Sequence, residues 1–308
     1  MISLATIVVP TFGRPAALTR CLEGLGRQSP EAGAFEVRVV DEGSPMPVNP
    51  DLPKGRVTLR VLRQANAGPG AARNLGVAEA QGEIVAFTDD DCVPDPGWLA
   101  AIASAVRGLP GALAGGATRN GLGASLCTEV SHLVVSVSQD FHDGLPGGPR
   151  FFPSNNMACR REDFLRSGGF DPAFRLASED REFCDRWRMQ GRPLVRVPGA
   201  TIAHFHEQDL AEFLRLHLRY GRGAYRYHAL RRARGSGSLG EEVGFHTSFV
   251  PRFRARAAAE GRGAAWQVRA AALLLAWQGA NALGFVAEWL QGGSPSTGES
   301  HLPPGGPT

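Results

Sequence analysis

Three consecutive carboxylates, Asp89, Asp90 and Asp91, follow the apolar run at residues 84–88. Adjacent anions repel, so the triplet costs stability unless a cation or several hydrogen-bond donors compensate it. At a strand end alternate side chains share a face, which would let Asp89 and Asp91 act together while Asp90 points elsewhere. Two carboxylates completed by diphosphate oxygens suit Mg²⁺ or Mn²⁺, hard ions that take few protein ligands. A second acidic pair, Glu179-Asp180, follows Ser178 and opens a helical pattern running through Phe183, Cys184 and Trp187 to Gly191. Ser178 is placed to cap that helix. A carboxylate in its first turn is favoured as the anion, so Asp180 is expected to be ionised at neutral pH and able to take a proton from a hydroxyl. His204 and His206 flank Phe205 after a short strand at 194–197 and add two imidazoles, which the pattern does not tell apart.

These groups can meet only if distant segments arrive at one edge. Residues 5–9 form an Ile/Val-rich run closed by Pro10, and Pro15 opens a helical pattern with Leu18, Cys21, Leu22 and Leu25. Residues 36–40 make a second strand ending at Asp41, and 57–62 a third. Residues 70–80 read as a helix, 84–88 as a fourth strand, and Pro96 as the start of another helix. Strand and helix in alternation predict an α/β domain with a mainly parallel sheet covered on both faces. Ligands of such sheets lie beyond the carboxyl ends of the strands, where Thr11, Asp41 and Asp89 all fall. Residues 111–149 carry a weak, Gly- and Ser-rich pattern and read as a connecting excursion. A helix-rich block follows from 161 to about 234, and 292–308 reads as a disordered tail.

A formal charge of +3 on 308 residues is too small to imply nucleic-acid binding. The five cysteines are odd in number with no zinc-knuckle spacing, which predicts small buried thiols in a reducing compartment. No basic stretch precedes the first strand, so no signal peptide is expected and a cytoplasmic location follows. Gly68, Gly70 and Gly76 only faintly resemble a dinucleotide loop, because Arg73 stands where its third glycine would be. Seven arginines from Arg215 to Arg234, interleaved with Tyr220, Tyr225 and Tyr227, suit an anionic membrane surface or an acidic lipid-linked acceptor, or else a plain solvated helix. Residues 270–287 are uncharged, near the lower limit for a membrane span. Their alanines, with Gln278 and Asn281, favour a helix packed or lying at a membrane or subunit surface.

Taken together, the segments Ile7-Val8-Val9-Pro10-Thr11-Phe12-Gly13-Arg14, Val40-Asp41-Glu42-Gly43-Ser44 and Asn66 to Gly76 resemble the opening motifs of family 2 glycosyltransferases. The aspartate triplet sits where that family keeps its metal-binding Asp-x-Asp, and Asn156, Gly168-Gly169-Phe170 and Ser178-Glu179-Asp180 match its acceptor half. The resemblance runs from about residue 3 to 206. It implies a single Rossmann-like nucleotide-diphospho-sugar transferase (GT-A) domain over 1–210, with a nucleotide half to 110 and an acceptor half beyond. A helical extension over 211–291 would follow. The implied activity is transfer of a sugar, typically a hexose, from a UDP-, GDP- or dTDP-linked donor to an acceptor hydroxyl with inversion. Polysaccharide, glycolipid or cell-envelope glycan assembly would be its setting.

By the same resemblance, Asp41 reads the base, Pro10 and Thr11 line its pocket, and Arg14, Arg73, Asp89 and Asp90 complete the donor site. Asp89, Asp91 and His204 would hold Mn²⁺ or Mg²⁺. Asn156, Gly169 and Glu179 would flank the acceptor, and Asp180 would be the base. Glu42 departs from the family's usual second aspartate, which leaves base preference open. A nucleotidyltransferase on a related scaffold and a non-catalytic sugar-nucleotide-binding protein are the competing readings.

Overall fold

The computed structural model describes residues 5–50, 57–122, 125–237 and 239–292. The N-terminal half alternates as expected: β1 (Ala5–Thr11), α1 (Pro15–Gly26), β2 (Phe35–Asp41), β3 (Val57–Arg63), α2 (Pro69–Ala78) and β4 (Ile84–Phe87). After β4 come the short β5 (Cys92–Pro94), α3 (Trp98–Gly108), β6 (Leu113–Asn120), α4 (Leu126–Asp143), β7 (Met157–Arg160) and α5 (Arg161–Arg166). The chain ends in α6 (Glu179–Met189), β8 (Leu194–His204), α7 (Leu210–Arg234), α8 (Leu239–Ala259) and α9 (Ala264–Leu290).

All eight strands join one sheet in the order β3-β2-β1-β4-β7-β6-β8-β5. β1 pairs in parallel with β2 and β4, and β2 with β3, whereas β7 is antiparallel to both β4 and β6. Side chains of the parallel strands alternate between two cores, as the pleat requires. Ile7, Val9, Val37, Val39 and Ala86 face α1 and α3. Val8, Val40, Val85 and Phe87 face the opposite layer, where Phe164, Phe170, Phe183 and Trp187 pack ring against ring. The five cysteines are free thiols, four of them buried.

The stretch expected to be a connecting excursion instead holds β6 and the 18-residue helix α4. Its Val, Ser and Thr residues are weak helix formers, and the paired glycines Gly115 and Gly116 blunt the strand signal. Tertiary packing overrides both: Val130, Leu133, Val134 and Val137 are buried against Phe249, Phe253 and Trp277 of α8 and α9. A helical layer of α4, α7, α8 and α9 thus covers one end of the sheet, and one of its members comes from within the first 150 residues. β8 also outruns its expected end, reaching His204 through the interruption at Pro198-Gly199. Of the expected C-terminal tail, all but Gly292 lies outside the described residues.

α7 begins with a capping box: Asp209 Oδ1 accepts from the Glu212 amide at 2.7 Å, and Glu212 Oε2 accepts from the Asp209 amide at 3.1 Å. Its arginines do not form the outward basic stripe that the sequence suggested. Arg222 and Arg226 donate to the two oxygens of Glu288 on α9 at 2.7 and 2.5 Å. Arg234 meets Glu182 at 2.8 Å and Arg231 lies 3.6 Å from Asp185. Most of the segment's charge is therefore spent fastening α7 to α6 and α9. α7 and α9 also touch through backbone, since a Cβ on Gly221 would lie 2.0 Å from the Asn281 carbonyl and one on Gly284 2.0 Å from that of Leu218.

Candidate active site

The carboxyl ends of β1, β2 and β4 deliver Thr11, Asp41 and Asp89 to one edge of the sheet, and the helical layer faces them across a cavity of about 1090 Å³. Pro10, Thr11, Arg14, Arg73, Asp89, Asp91, Glu179, Asp180 and His204 all line it. Asp41, Asp90, Asn156 and Gly169 do not.

The aspartates occupy a turn, not a strand end: the Cys92 amide donates to the Asp89 carbonyl at 3.0 Å, three residues back. Each carboxylate therefore goes its own way. Asp89 accepts from Arg73 at 2.6 Å and keeps 27% of its side chain exposed. Asp90 is fully buried, its Oδ2 accepting from the Thr11 hydroxyl at 2.7 Å and its Oδ1 lying 2.5 Å from the Arg14 guanidinium as an ion pair. Burial outweighs both partners and pushes its carboxyl up to about 7. Asp90 thus lies behind the cavity wall.

Asp91 faces the cavity. Arg14 donates to its Oδ2 at 2.7 Å, His204 Nε2 lies 3.3 Å from Oδ1 and His206 Nδ1 lies 3.3 Å from Oδ2. Burial works against its charge, but the two imidazoles and Arg14 hold it well below the usual carboxylate range, and Asp91 in turn raises His204 despite burial. β5 pairs with the last residues of β8, Cys92 opposite His204, which is why a residue 113 positions away lands beside Asp91. Both histidines belong to the site, their rings stacked at 5.5 Å. One carboxylate held as an anion with two imidazole nitrogens aimed at it is a donor set for a divalent cation, and its imidazoles favour a transition-metal ion over Mg²⁺. Asp91, Cys92 and His204 place their ligand atoms within 4.8 Å of one another. Burial, with the Asp91 and Asp89 charges beside it, pushes the Cys92 thiol up.

Arg73 joins the two halves of the site. Its guanidinium is 2% exposed, lies 5.7 Å over the Phe170 ring and donates both to Asp89 at 2.6 Å and to Glu179 at 3.1 Å. Glu179 and Asp180 open α6 as expected, but the cap is not the one expected. Ser178 makes no side-chain capping bond and adopts φ 72°, the only left-handed non-glycine among the described residues. Such a backbone costs of order 1–3 kcal/mol and persists only where surrounding contacts impose it. Here α7 imposes it: Gly223 lies under the loop so closely that a Cβ would sit 2.6 Å from the Ala177 carbonyl and 2.9 Å from Ser178 Oγ. The electrostatics of Asp180 differ from expectation too. Burial raises its carboxyl despite Arg181, whose amide donates to Oδ1 at 2.8 Å. Burial and the neighbouring Asp180 charge push Glu179 up to about 7.

The other expected residues serve the scaffold. Asn156 uses its whole amide internally, accepting from the Trp98 indole at 2.8 Å and donating to the Ala117 and Ala200 carbonyls at 2.9 and 3.1 Å. Gly169 forms the turn that lets Asn74 bracket Phe170, accepting from its amide at 2.8 Å and donating to its carbonyl at 2.7 Å. Asp41 accepts from the Ser44 amide at 2.9 Å and from Arg63 at 2.8 Å, and these contacts hold it below the usual carboxylate range against the effect of burial. Glu42, beside it, is the carboxylate that lines the cavity, with one oxygen accepting from the Gly68 amide at 2.9 Å. Sequence reasoning missed most of the far wall: Ser131, His132 and His142 of α4, Arg181 of α6 and Trp277 of α9, which stand with Arg219 and Tyr220 of the basic segment.

The family model described as Glycosyl transferase family 2 matches residues 6–164. Among curated proteins, the chain is 30% identical over 227 residues to a pre-mycofactocin glycosyltransferase of Mycobacterium tuberculosis, covering 71% of this chain and 46% of that one. It is 38% identical over 101 residues to the succinoglycan biosynthesis protein ExoW of Rhizobium meliloti, covering 30% and 31% of the two chains. The chain therefore spans about half or less of the length of these relatives. Among solved structures, the mannosyltransferase PcManGT from Pyrobaculum calidifontis, in complex with GDP-Man and Mn²⁺, matches with a TM-score of 0.60 at 20% identity. That match covers 93% of this chain and 86% of the other, and it shows a shared fold.

Proposed function

The chain belongs to glycosyl transferase family 2, and on that premise we propose that it is an inverting glycosyltransferase acting on a nucleoside-diphosphate sugar, with Asp180 as general base. One observation carries the reading. A single cavity presents a carboxylate–imidazole cluster at one end and a half-buried carboxylate, Asp180, at the start of a helix across from it.

In this reading the nucleotide lies along the strand ends, between the Pro10-Thr11 backbone and the Gly68-Pro69 turn. Glu42, not Asp41, offers the carboxylate oxygen toward the base, while Asp41 fixes the turn through Ser44 and Arg63. Asp89, oriented by Arg73, is the carboxylate available to the ribose. Asp91, His204 and His206 are the residues that would hold Mn²⁺ or Mg²⁺, which when bound supplies positive charge against the departing diphosphate. GDP-Man with Mn²⁺ in the solved neighbour is consistent with that ligand class.

The chemistry is one displacement. The acceptor hydroxyl oxygen forms a bond to the anomeric carbon as the bond to the diphosphate oxygen breaks, and the electron pair leaves with the nucleoside diphosphate. The hydroxyl proton passes to Asp180. A base works best when its pKa approaches the operating pH, so the raised carboxyl of Asp180 suits the task better than an ordinary aspartate would. Attack from the face opposite the leaving group inverts the centre. Polysaccharide assembly is the setting that the name of one relative, a succinoglycan biosynthesis protein, suggests.

Donor turnover tests the reading. The chain is incubated with UDP-, GDP- and dTDP-sugars and Mn²⁺, and the released nucleotide and the anomeric configuration of the sugar are followed by proton NMR. Release of nucleoside diphosphate with inversion, lost in Asp180→Asn, is the expected result. Retention, or conversion of the donor and added inorganic diphosphate into nucleoside triphosphate and sugar 1-phosphate as a nucleotidyltransferase would give, contradicts it.

A further inference from the structure

The cavity extends well past Asp180, and its far end differs in character from the donor end. Among the described residues, every carboxylate lining it (Glu42, Asp89, Asp91, Glu179, Asp180) lies at the strand ends or the start of α6. Beyond them the wall sets Val134, Val135, Tyr220, Trp277, Phe285 and Val286 beside polar His132, His142 and Gln278, with the cations Arg181 and Arg219. Arg181 lies 4.4 Å over the Phe151 ring and reaches Ser138 Oγ at 3.2 Å, and neither arginine pairs with a described carboxylate. Arg181 feels the neighbouring Asp180 charge, but no described carboxylate lies within ion-pair distance of either guanidinium, and phosphate is an anion that such groups bind well.

The chamber opens onto an unusual surface. Ala282, Phe285 and Val286 line the cavity, and Phe285 and Val286 are at the same time part of the exposed face of α9. That helix is 27 residues, about 40 Å long. Leu275, Leu283, Val286 and Leu290 repeat along its outer face at helical spacing, with Trp289 beside them. Leu275 is 76% exposed, Leu283 67% and Leu290 73%. The helix carries only two charges, Arg269 and Glu288. Glu288 would interrupt the apolar face, but Arg222 and Arg226 turn it inward to 1% exposure. From residue 270 to 290 the outer face is therefore free of charge. Its length and composition meet those of a membrane-crossing helix, yet it packs along α7 on one side. A helix held this way, with one face apolar and open, is suited to lie in the boundary layer of a bilayer.

We propose that the acceptor is a lipid with a phosphorylated, hydroxylated headgroup, taken from a bilayer on which the outer face of α9 rests. The headgroup phosphate sits between Arg181 and Arg219, its hydroxyl reaches Asp180, and the apolar chains leave over Phe285 and Val286 toward Leu283. This rests on the transferase reading of the site, since Asp180 is the group that receives the hydroxyl.

Vesicle co-sedimentation of the full chain tests it, with phosphatidylcholine alone and phosphatidylcholine containing phosphatidylglycerol, whose headgroup has both a phosphate and free hydroxyls. The chain is expected to sediment with the phosphatidylglycerol vesicles, with Trp289 emission shifting to the blue and the shift absent in Trp289→Phe. Leu275→Asp and Leu283→Asp, both at well-exposed positions, should weaken partition by at least about tenfold, the factor that loss of one leucine's transfer energy implies. Arg219→Ala should abolish the preference for phosphatidylglycerol over phosphatidylcholine. Stabilisation by nucleoside diphosphate and Mn²⁺, measured on the same variants, should persist in Leu283→Asp. Vesicle binding without nucleotide stabilisation in the wild type breaks the transferase reading and leaves the lipid surface supported. A wild-type chain that stays in the supernatant, aspartate variants that bind as wild type, or a dimer split by Leu283→Asp without vesicle binding overturns the inference. The last outcome assigns the face to a second copy of the chain.

Discussion

The two walls of the cavity are built on different plans. The sheet wall is made of strand ends and turns whose charged groups nearly all have partners: Asp91 with Arg14 and the histidines, Asp89 with Arg73, Asp41 with Arg63. The helical wall is made of α4, α7 and α9 with the start of α6, carries aromatic rings, and holds Arg181 and Arg219 outside ion-pair distance of any described carboxylate. A wall whose polar groups satisfy one another is rigid before any ligand arrives, which suits positioning of a diphosphate and a leaving group. A wall with open cations and apolar surface waits for a partner. The comparison assigns the common chemistry to the first wall and the choice of acceptor to the second.

The largest effect should come from the residue that faces both. Asp180→Asn is expected to lower kcat by about 10²–10⁴ while leaving nucleotide-induced stabilisation intact. Because burial raises the Asp180 carboxyl, and only the ionised form accepts a proton, activity should fall as pH drops through that raised value. The acid limb of the rate profile is then expected above the ordinary aspartate range, and a limb near 4 would break the assignment. Next, replacing His204 and His206 together by alanine should weaken Mn²⁺ binding by roughly 10- to 100-fold, read by titration calorimetry. The same pair should leave vesicle binding unchanged, since it belongs to the sheet wall.

A smaller effect is expected where the walls touch. Gly223→Ala places a methyl against Ala177 and Ser178, so the loop that aims Asp180 must move. A displacement of that kind costs roughly tenfold in kcat with nucleotide binding kept, and an unchanged kcat would show that α7 does not brace the base. The smallest effect separates two neighbours. Glu42→Ala should weaken nucleotide binding by about 1 kcal/mol, one hydrogen bond's worth, whereas Arg63→Ala should weaken it less. The reverse order would return the base contact to Asp41.

Much of the sheet wall was legible from the sequence. Runs such as Ile7-Val8-Val9 and Ile84 to Phe87 can only be strands covered on both faces, and the polar residue that follows each run marks the binding edge. The matched positions of Arg73, Asp91 and Asp180 then gave the site its outline. What escaped notice depends on contacts that no local pattern encodes. α4 is helical because Val130, Leu133 and Val137 are buried by α8 and α9, more than a hundred residues later, not because its valines and serines prefer a helix. Asn156 looked like a ligand contact, but an amide can equally satisfy two strands and an indole, as this one does. The arginines of α7 read as a basic surface until Glu288 and Glu182 supplied buried partners. The raised carboxyl of Asp180 follows from burial, which works against the helix terminus and which the sequence pattern does not show.

The account stands most directly on the ligand set at Asp91. Thermal unfolding of the wild type and Asp91→Ala with UDP, GDP and dTDP, each with and without Mn²⁺, addresses it. At a nucleotide concentration about 100 times Kd, binding should add roughly 2.7 kcal/mol of stability, a shift of several degrees. We predict that at least one nucleotide stabilises the wild type in a Mn²⁺-dependent manner, and that Asp91→Ala loses the Mn²⁺-dependent part. Stabilisation by no nucleotide, or a metal-dependent shift that survives in Asp91→Ala, would contradict the account.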